Sequence, residues 1–315
     1  MPTLRLADPD TAARYPLPVS GSNEWHSDAD CWTTTHALPP LAAGTLLVPS
    51  LAPAPDADGA APRHRWTLIA DGGRFPLPPV PSEPPEGGKQ APGKTNGPVS
   101  CHIDCFRVHR SLSGPALMLS VEGRRPPERY LLTISARPFT IATPPMPTRQ
   151  AATPPPPPRS QMNAPPEIAA RICSPTCVSM VLAGWQRPHD WLSLTGECLD
   201  PGTGMYGVWP LALRAAARRG SIGAVEVFSG WEDALTVLER GIPLVTSIRF
   251  GEGELPGAPL GETGGHLVVV FAAGPDGVDV CDPAAADAEV RRRYPAAAFS
   301  GAWLRHRGAA YILPP

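Results

Sequence analysis

No stretch of the sequence reaches the run of about 18 apolar residues that a membrane-spanning helix needs, so a membrane span is not expected. Blocks of about five or more like charges are also missing. Lys and Arg total 27 against 29 Asp and Glu, a formal net charge of −2, so the balance recommends neither nucleic acid nor an anionic membrane as a partner. The opening "MPTLRLADPDTAARYPLP" has no basic segment leading into an apolar one, so no secretory signal is expected and the cytoplasm is preferred. A disulfide framework is lacking too: the seven cysteines are an odd number scattered along 315 residues, which suits a reducing compartment. No internal repeat is found.

What the chain has in excess is proline, 44 residues of it, and the placement is informative. The stretches "PLPPVPSEPPEGGKQAPGKTNGP" (76–98) and "TPPMPTRQAATPPPPP" (143–158) cannot form helix or ladder interiors, because proline lacks the N–H and fixes its own φ. The first reads as a long mobile loop. The second favours extended polyproline II and reads as a semi-rigid spacer, separating two regions with different patterns. At this length two domains can each bury a core. The expected division is residues 1–143, a linker over 144–159, and residues 160–315.

Before the linker, short apolar segments alternate with turn residues: "GTLLVPSLA" (44–52), "RWTLIA" (65–70), "SCHIDCFRV" (100–108), "PALMLSVEG" (115–123) and "RYLLTISAR" (129–137). Short strands punctuated by Gly and Pro predict an antiparallel β-sandwich. Cys101, Cys105, His102 and His109 are the residue types of a zinc site. On a single strand, however, Cys101 and Cys105 face one way and His102 the other. Buried structural thiols are the preferred reading, and no metal or other cofactor is expected.

After the linker the pattern becomes α+β. Ser174 and Pro175 fit an N-cap and first helical residue, opening a helix to about Trp185 that Gln186-Arg187-Pro188 closes. Further helices are predicted over 208–220 and 231–241, each ending in glycine, and strands over 242–250, 266–274 and 277–283. Cys173 then stands at the amino end of a helix, where the macrodipole and unpaired N–H groups favour a thiolate. A reactive thiol needs an imidazole and a group to orient it. His266 stands at the start of a strand behind Gly264 and Gly265, which allow close backbone approach. If 266–274 and 277–283 form a hairpin, Asp282 lies near the same end.

The segments Cys-Ser-Pro-Thr-Cys-Val-Ser-Met-Val-Leu (173–182), Gly-Gly-His-Leu-Val-Val-Val (264–270) and Cys-Asp-Pro-Ala (281–284) resemble the peptidase C39-like family of papain-fold cysteine peptidases. The resemblance covers about residues 160–315, and Cys177 departs from the serine more usual there. It implies a papain-like domain, with Cys173 as nucleophile, His266 as general base and acid, and Asp282 as orienting carboxylate. It also implies a glutamine, here Gln161, that helps form an oxyanion hole. The first half resembles the β-sandwich that precedes some members, which implies substrate positioning or cell-surface attachment and leaves its ligand unnamed.

Competing readings stand beside these. Cys173 as an inert core cysteine, His266 as a satisfied strand-end histidine and Asp282 as a turn initiator are all compatible with the residues alone. Cys177, Cys198 and Cys281 are assigned to packing. Trp185, Trp191, Trp209 and Trp231 are read as core and groove walls, and His189 has no assigned partner. The expected function is hydrolysis of peptide or amide bonds in a peptide or protein substrate. An acyl or aminoacyl transferase using the same thiol, and an idle binding protein, are the alternatives.

Overall fold

The computed structural model describes residues 1–28, 31–55, 62–84 and 97–315. Residues 85–96 of the loop expected over 76–98 lie outside the described residues. Among the described residues the architecture is mixed α/β with three sheets, and every strand pairing within them is antiparallel.

The first half forms two five-stranded sheets. In the outer sheet the order is His26–Asp28, Cys31–Ala37, Ala116–Glu122, His64–Ala70, Gly73–Pro76. In the middle sheet it is Leu4–Ala7, Tyr130–Pro138, Thr45–Pro53, Phe106–Val108, Val99–Cys101. Side chains from both enter one apolar cluster: Trp66, Leu68, Leu117 and Leu119 from the outer sheet, and Leu47, Leu51, Phe106, Leu132 and Ile134 from the middle one. The segment 100–108, predicted as a single strand, is a hairpin in which Cys101 pairs with Phe106. The intervening His102 amide donates to the Cys105 carbonyl, so the alternation assumed across Cys101–Cys105 does not apply.

The middle sheet is covered on both faces. Strand Thr45–Pro53 is buried at nearly every position. Its Leu46, Val48 and Ala52 belong to the core of the second half, while Leu47 and Leu51 belong to that of the first. Successive side chains on a strand point to opposite faces, so this alternation records two separate contacts. Polar bonds reinforce the second one. Arg5 donates to both carboxylate oxygens of Glu226 at 2.8 and 2.7 Å, with Tyr15 Oη donating to the same carboxylate at 2.8 Å. A buried charge keeps its stability only when paired in this manner.

The second half is a seven-stranded sheet with helices packed against it. Six of its strands follow the order Ala224–Val227, Ala309–Ile312, Leu244–Phe250, Thr263–Gly274, Gly277–Cys281, Arg291–Tyr294, and the seventh, Ala151–Ala152, pairs with Thr263–Gly274 off this path. The stretch expected to act as a spacer instead lies on this sheet. Ala151 and Ala152 pair with Ala273 and Ala272, and the Thr153 amide donates to the Phe271 carbonyl at 2.8 Å. The non-proline residues between the prolines retain donors and acceptors, and an unpaired stretch of sheet edge satisfies them.

Helix Cys173–Gly184 is buried without a break from Ser174 to Leu182. A helix covered all round has no polar stripe, which matches the run Cys-Val-Ser-Met-Val-Leu. It ends where Gln186 adopts a left-handed φ of 55° and the Arg187 amide returns to the Leu182 carbonyl at 2.9 Å, with Pro188 preventing continuation. No helix among the described residues is long and apolar enough to cross a membrane.

Candidate active site

The helix begins two residues earlier than predicted. Ile172 is its N-cap, without a side-chain cap, and Cys173 is the first helical residue. Ser174 Oγ does not cap the helix; it lies 2.9 Å from Tyr311 Oη inside the core. Pro175 falls in the first turn, where an N–H has no intrahelical acceptor and its absence costs little. The Thr176 amide makes the first return bond, to the Ile172 carbonyl at 3.0 Å. The amides of Cys173 and Ser174 are therefore not consumed by the helix ladder, and the N–H of Ser174 is directed at the Cys173 sulfur.

His266 comes from strand Thr263–Gly274, and Asp282 immediately follows strand Gly277–Cys281. The hairpin expected between them forms, with Val269 opposite Cys281 and Gly274 opposite Gly277. It sets the histidine and the carboxylate at one end, where His266 Nε2 lies 2.7 Å from Asp282 Oδ1. Both are enclosed, at 3% and 1% exposure. The Ala284 amide also donates to Oδ1 at 3.0 Å, and Tyr294 Oη donates to Oδ2 at 2.7 Å. With Nε2 engaged by the carboxylate, the other ring nitrogen is left for the Cys173 sulfur, whose charge His266 stabilises.

The electrostatics follow from these contacts. Burial opposes a charged Cys173. The hydrogen bond and charge of His266, with the amides of Leu267 and Ser174, outweigh it and lower the thiol pKa. For His266, burial is again the opposing effect, and the Asp282 charge and hydrogen bond raise it to about 10. Burial disfavours the Asp282 carboxylate, yet the charge and hydrogen bond of His266, and then Tyr294 and Ala284, lower its pKa. Each charge is stabilised by its neighbour, which shifts the pair toward a thiolate facing an imidazolium.

Gln161 is buried at 4% exposure in a short 3-10 turn, Gln161–Asn163. Its backbone amide donates to the Pro283 carbonyl at 2.8 Å, and Ser160 Oγ donates to the Ala285 carbonyl at 2.5 Å. The turn is thus docked on the loop that follows Asp282. The side-chain Nε2 donates to the Ala169 carbonyl at 2.7 Å, while Oε1 is buried with no partner. Gln161 makes no hydrogen bond to Cys173 in this arrangement; a primary amide carries two N–H groups, and one of them is uncommitted.

Other residues singled out from sequence have structural surroundings. Cys177, Cys198 and Cys281 are fully buried, and Trp209 and Trp231 lie in the core. Trp185 is half-buried, donating through Nε1 to the Leu313 carbonyl at 2.9 Å, and Trp191 stacks beneath Arg159. His189 has partners on both ring nitrogens, Ser179 Oγ and the Arg187 carbonyl, each at 2.8 Å. His102 and His109 both lean on Ser100 Oγ, and no metal-binding group of three or more His, Cys, Asp or Glu occurs among the described residues. Tyr294 is the functional-site neighbour that sequence reasoning missed. Its only signal is "RRRYP" (291–295), where three arginines hide a strand with a buried final residue.

Residues 156–311 match the model of the Peptidase_C39 like family, and the chain belongs to that family through this half. Among solved structures, it is similar to a double glycine motif protease from an AMS/PCAT transporter in complex with the leader peptide. That match has 17% identity and a TM-score of 0.35, covering 53% of this chain and 98% of the other. It is also similar to a C39-like peptidase from Bacillus anthracis, at 17% identity and a TM-score of 0.40, covering 52% of this chain and 98% of the other. No curated protein matches the chain.

Proposed function

We propose that this C39-like family member is a cysteine peptidase that hydrolyses peptide or amide bonds through Cys173, His266 and Asp282. The observation that carries the reading is an imidazole hydrogen-bonded to a carboxylate that Tyr294 fixes, set where its charge favours the Cys173 thiolate. A thiol, a base and an orienting group linked in this order are what nucleophilic acyl transfer requires.

The Cys173 thiolate attacks the carbonyl carbon of the scissile bond. The oxyanion that develops is received by the Cys173 amide at the helix start and by the uncommitted N–H of Gln161. His266 gives its proton to the leaving nitrogen as the C–N bond breaks, which releases the amine and leaves a thioester. His266 then removes a proton from water, whose oxygen attacks the thioester. The acid departs, and the thiolate–imidazolium pair is restored. Asp282 holds the ring throughout and stabilises its positive charge.

The architecture that goes with this reading is a papain-like domain over 160–315, a connecting segment over 144–159 and an accessory β-sandwich over 1–143. The single apolar cluster shared by the two five-stranded sheets supports the sandwich, and the family match over 156–311 supports the domain that follows. The test is to incubate the full chain with a peptide library beside Cys173→Ala and identify products by mass spectrometry. Cleavage that disappears in the variant is the expected result; identical product sets would remove Cys173 from the reaction.

A further inference from the structure

Beside the strand end that carries His266 lies a small cleft of about 40 Å³. Gly264 and Gly265 form part of its wall, and so does Ile248, the cross-strand partner of His266. The cleft carries the positive charges of Arg249 and Arg307, with His306 and Phe139 also lining it, and the Arg107 guanidinium sits 3.9 Å above the Phe139 ring.

The anionic groups nearby do not neutralise this set. Glu254 is engaged by Arg305 at 2.9 Å and by the Gly251 amide at 2.8 Å. Asp104 feels Arg307 but forms no ion pair with it, and neither Arg249 nor Arg307 has an ion-pair partner among the described residues. His306 reports the resulting field. Burial, followed by Arg249 and Arg305, lowers its pKa, with Glu254 opposing and Arg137 adding to the effect. Cations held in a concave site with low-dielectric walls focus their potential on whatever enters.

The two glycines add an independent observation. Neither adopts a left-handed φ, and a Cβ built on either meets nothing within 4 Å. Local backbone conformation and packing therefore do not require glycine at these positions. Their bareness leaves open backbone between the cationic cleft and His266, along which an extended chain can lie.

We propose that this cleft binds a carboxylate of the substrate close to the scissile bond, with Arg249 and Arg307 as specificity-determining residues. The carboxylate comes from an acidic side chain or from a free C-terminus. The proposal rests on the peptidase reading for the identity of its ligand as a peptide, and its test separates the two.

The experiment uses the full chain carrying Cys173→Ala and fluorescent peptides of one backbone sequence with Glu, Gln or Lys at each position in turn. Each peptide is made with a free and an amidated C-terminus, and binding is read by anisotropy at low and high salt. Glu peptides, or free-acid peptides, should bind about tenfold more tightly than Lys or amidated ones, with the difference shrinking at high salt. Loss of the preference on amidation alone assigns it to the C-terminus, and loss on Glu→Gln alone assigns it to a side chain. Arg249→Glu with Arg307→Glu should abolish the preference, whereas the charge-matched control Arg74→Glu with Arg125→Glu should retain it. Binding that ignores peptide charge, or no binding at all, overturns the proposal. Running the same peptides with the unmodified chain distinguishes the remaining cases: cleavage without charge preference refutes only the cleft, and charge-dependent binding without cleavage refutes only the peptidase.

Discussion

Cys173 and Cys177 lie one turn apart on the same helix, and both sulfurs reach the backbone of Leu267, from opposite sides of its chemistry. The Leu267 amide favours charge on Cys173, whereas the Leu267 carbonyl accepts from the Cys177 thiol at 3.2 Å. Burial disfavours charge at both sites. At Cys173 the hydrogen bond and charge of His266 reverse that effect; at Cys177 burial stands unopposed, and the charges of Cys173 and Asp282 push its pKa further up. A thiol's state is thus decided by whether its neighbours favour the charge strongly enough to overcome burial.

The largest effect expected from breaking this contrast is on the reaction itself. Cys173→Ala should reduce peptide cleavage by about a thousandfold or more, and His266→Ala should be comparable, as in other triads. Steady-state rates against a peptide substrate measure both. Asp282→Asn should cost about a hundredfold or less, because the thiolate–imidazolium pair survives without the carboxylate. Tyr294→Phe, which frees one carboxylate oxygen, should cost about tenfold. A Tyr294→Phe loss equal to that of His266→Ala would mean that the tyrosine does more than hold Asp282.

The pH dependence sharpens the comparison. Activity should rise with ionisation of Cys173 below the ordinary thiol value of about 8.5 and fall as His266 loses its proton near about 10. The limbs belong to the coupled pair rather than to either residue. Asp282→Asn should bring the alkaline limb down, since the carboxylate is what raises His266. Stability follows the same signs. The folded His266 value lies above the unfolded one of about 6.5, so its contribution is complete below that pH and is lost as pH rises through the folded value. Asp282, lowered in the fold, contributes above about pH 3.9 and ceases to do so as pH falls through its folded value. Thermal melts across pH, compared with His266→Ala and Asp282→Asn, check this.

The smallest effect belongs to the second thiol. Cys177→Ser retains a donor for the Leu267 carbonyl and leaves the His266 pair intact, so cleavage should change by less than about threefold, with a modest loss of stability from burying a hydroxyl. If Cys177→Ser abolished cleavage while Cys173→Ser did not, the roles of the two thiols would be exchanged.

Much of the candidate site is legible in the sequence because its residues stand at conspicuous junctions. Cys173 precedes an apolar run, His266 follows paired glycines, and Asp282 precedes a proline at a strand end. What supports them is less visible. The Leu267 amide is a backbone group, and Tyr294 ends an arginine-rich strand that shows no apolar alternation. The fold divides in the same way. Strand Ala116–Glu122 alternates in burial and is legible. Strand Cys31–Ala37 reads Cys-Trp-Thr-Thr-Thr-His-Ala and takes its place mainly from its neighbour Ala116–Glu122. The segment Thr45–Pro53 carries a signal read only in part. Its unbroken burial fits a strand covered on both faces, and its alternate side chains join the two halves of the molecule across what the proline run suggested was a separation.

The central claim, that Cys173 alone among the thiols is held ready as a thiolate by His266, can be tested without a substrate. The native protein is alkylated with limiting iodoacetamide at about pH 6, where an ordinary thiol is almost wholly protonated, and the modified cysteines are mapped by mass spectrometry. Cys173 should react well ahead of the other cysteines, and His266→Ala should remove that lead. Uniform slow labelling of all seven cysteines, or an undiminished lead in His266→Ala, would contradict the ion pair.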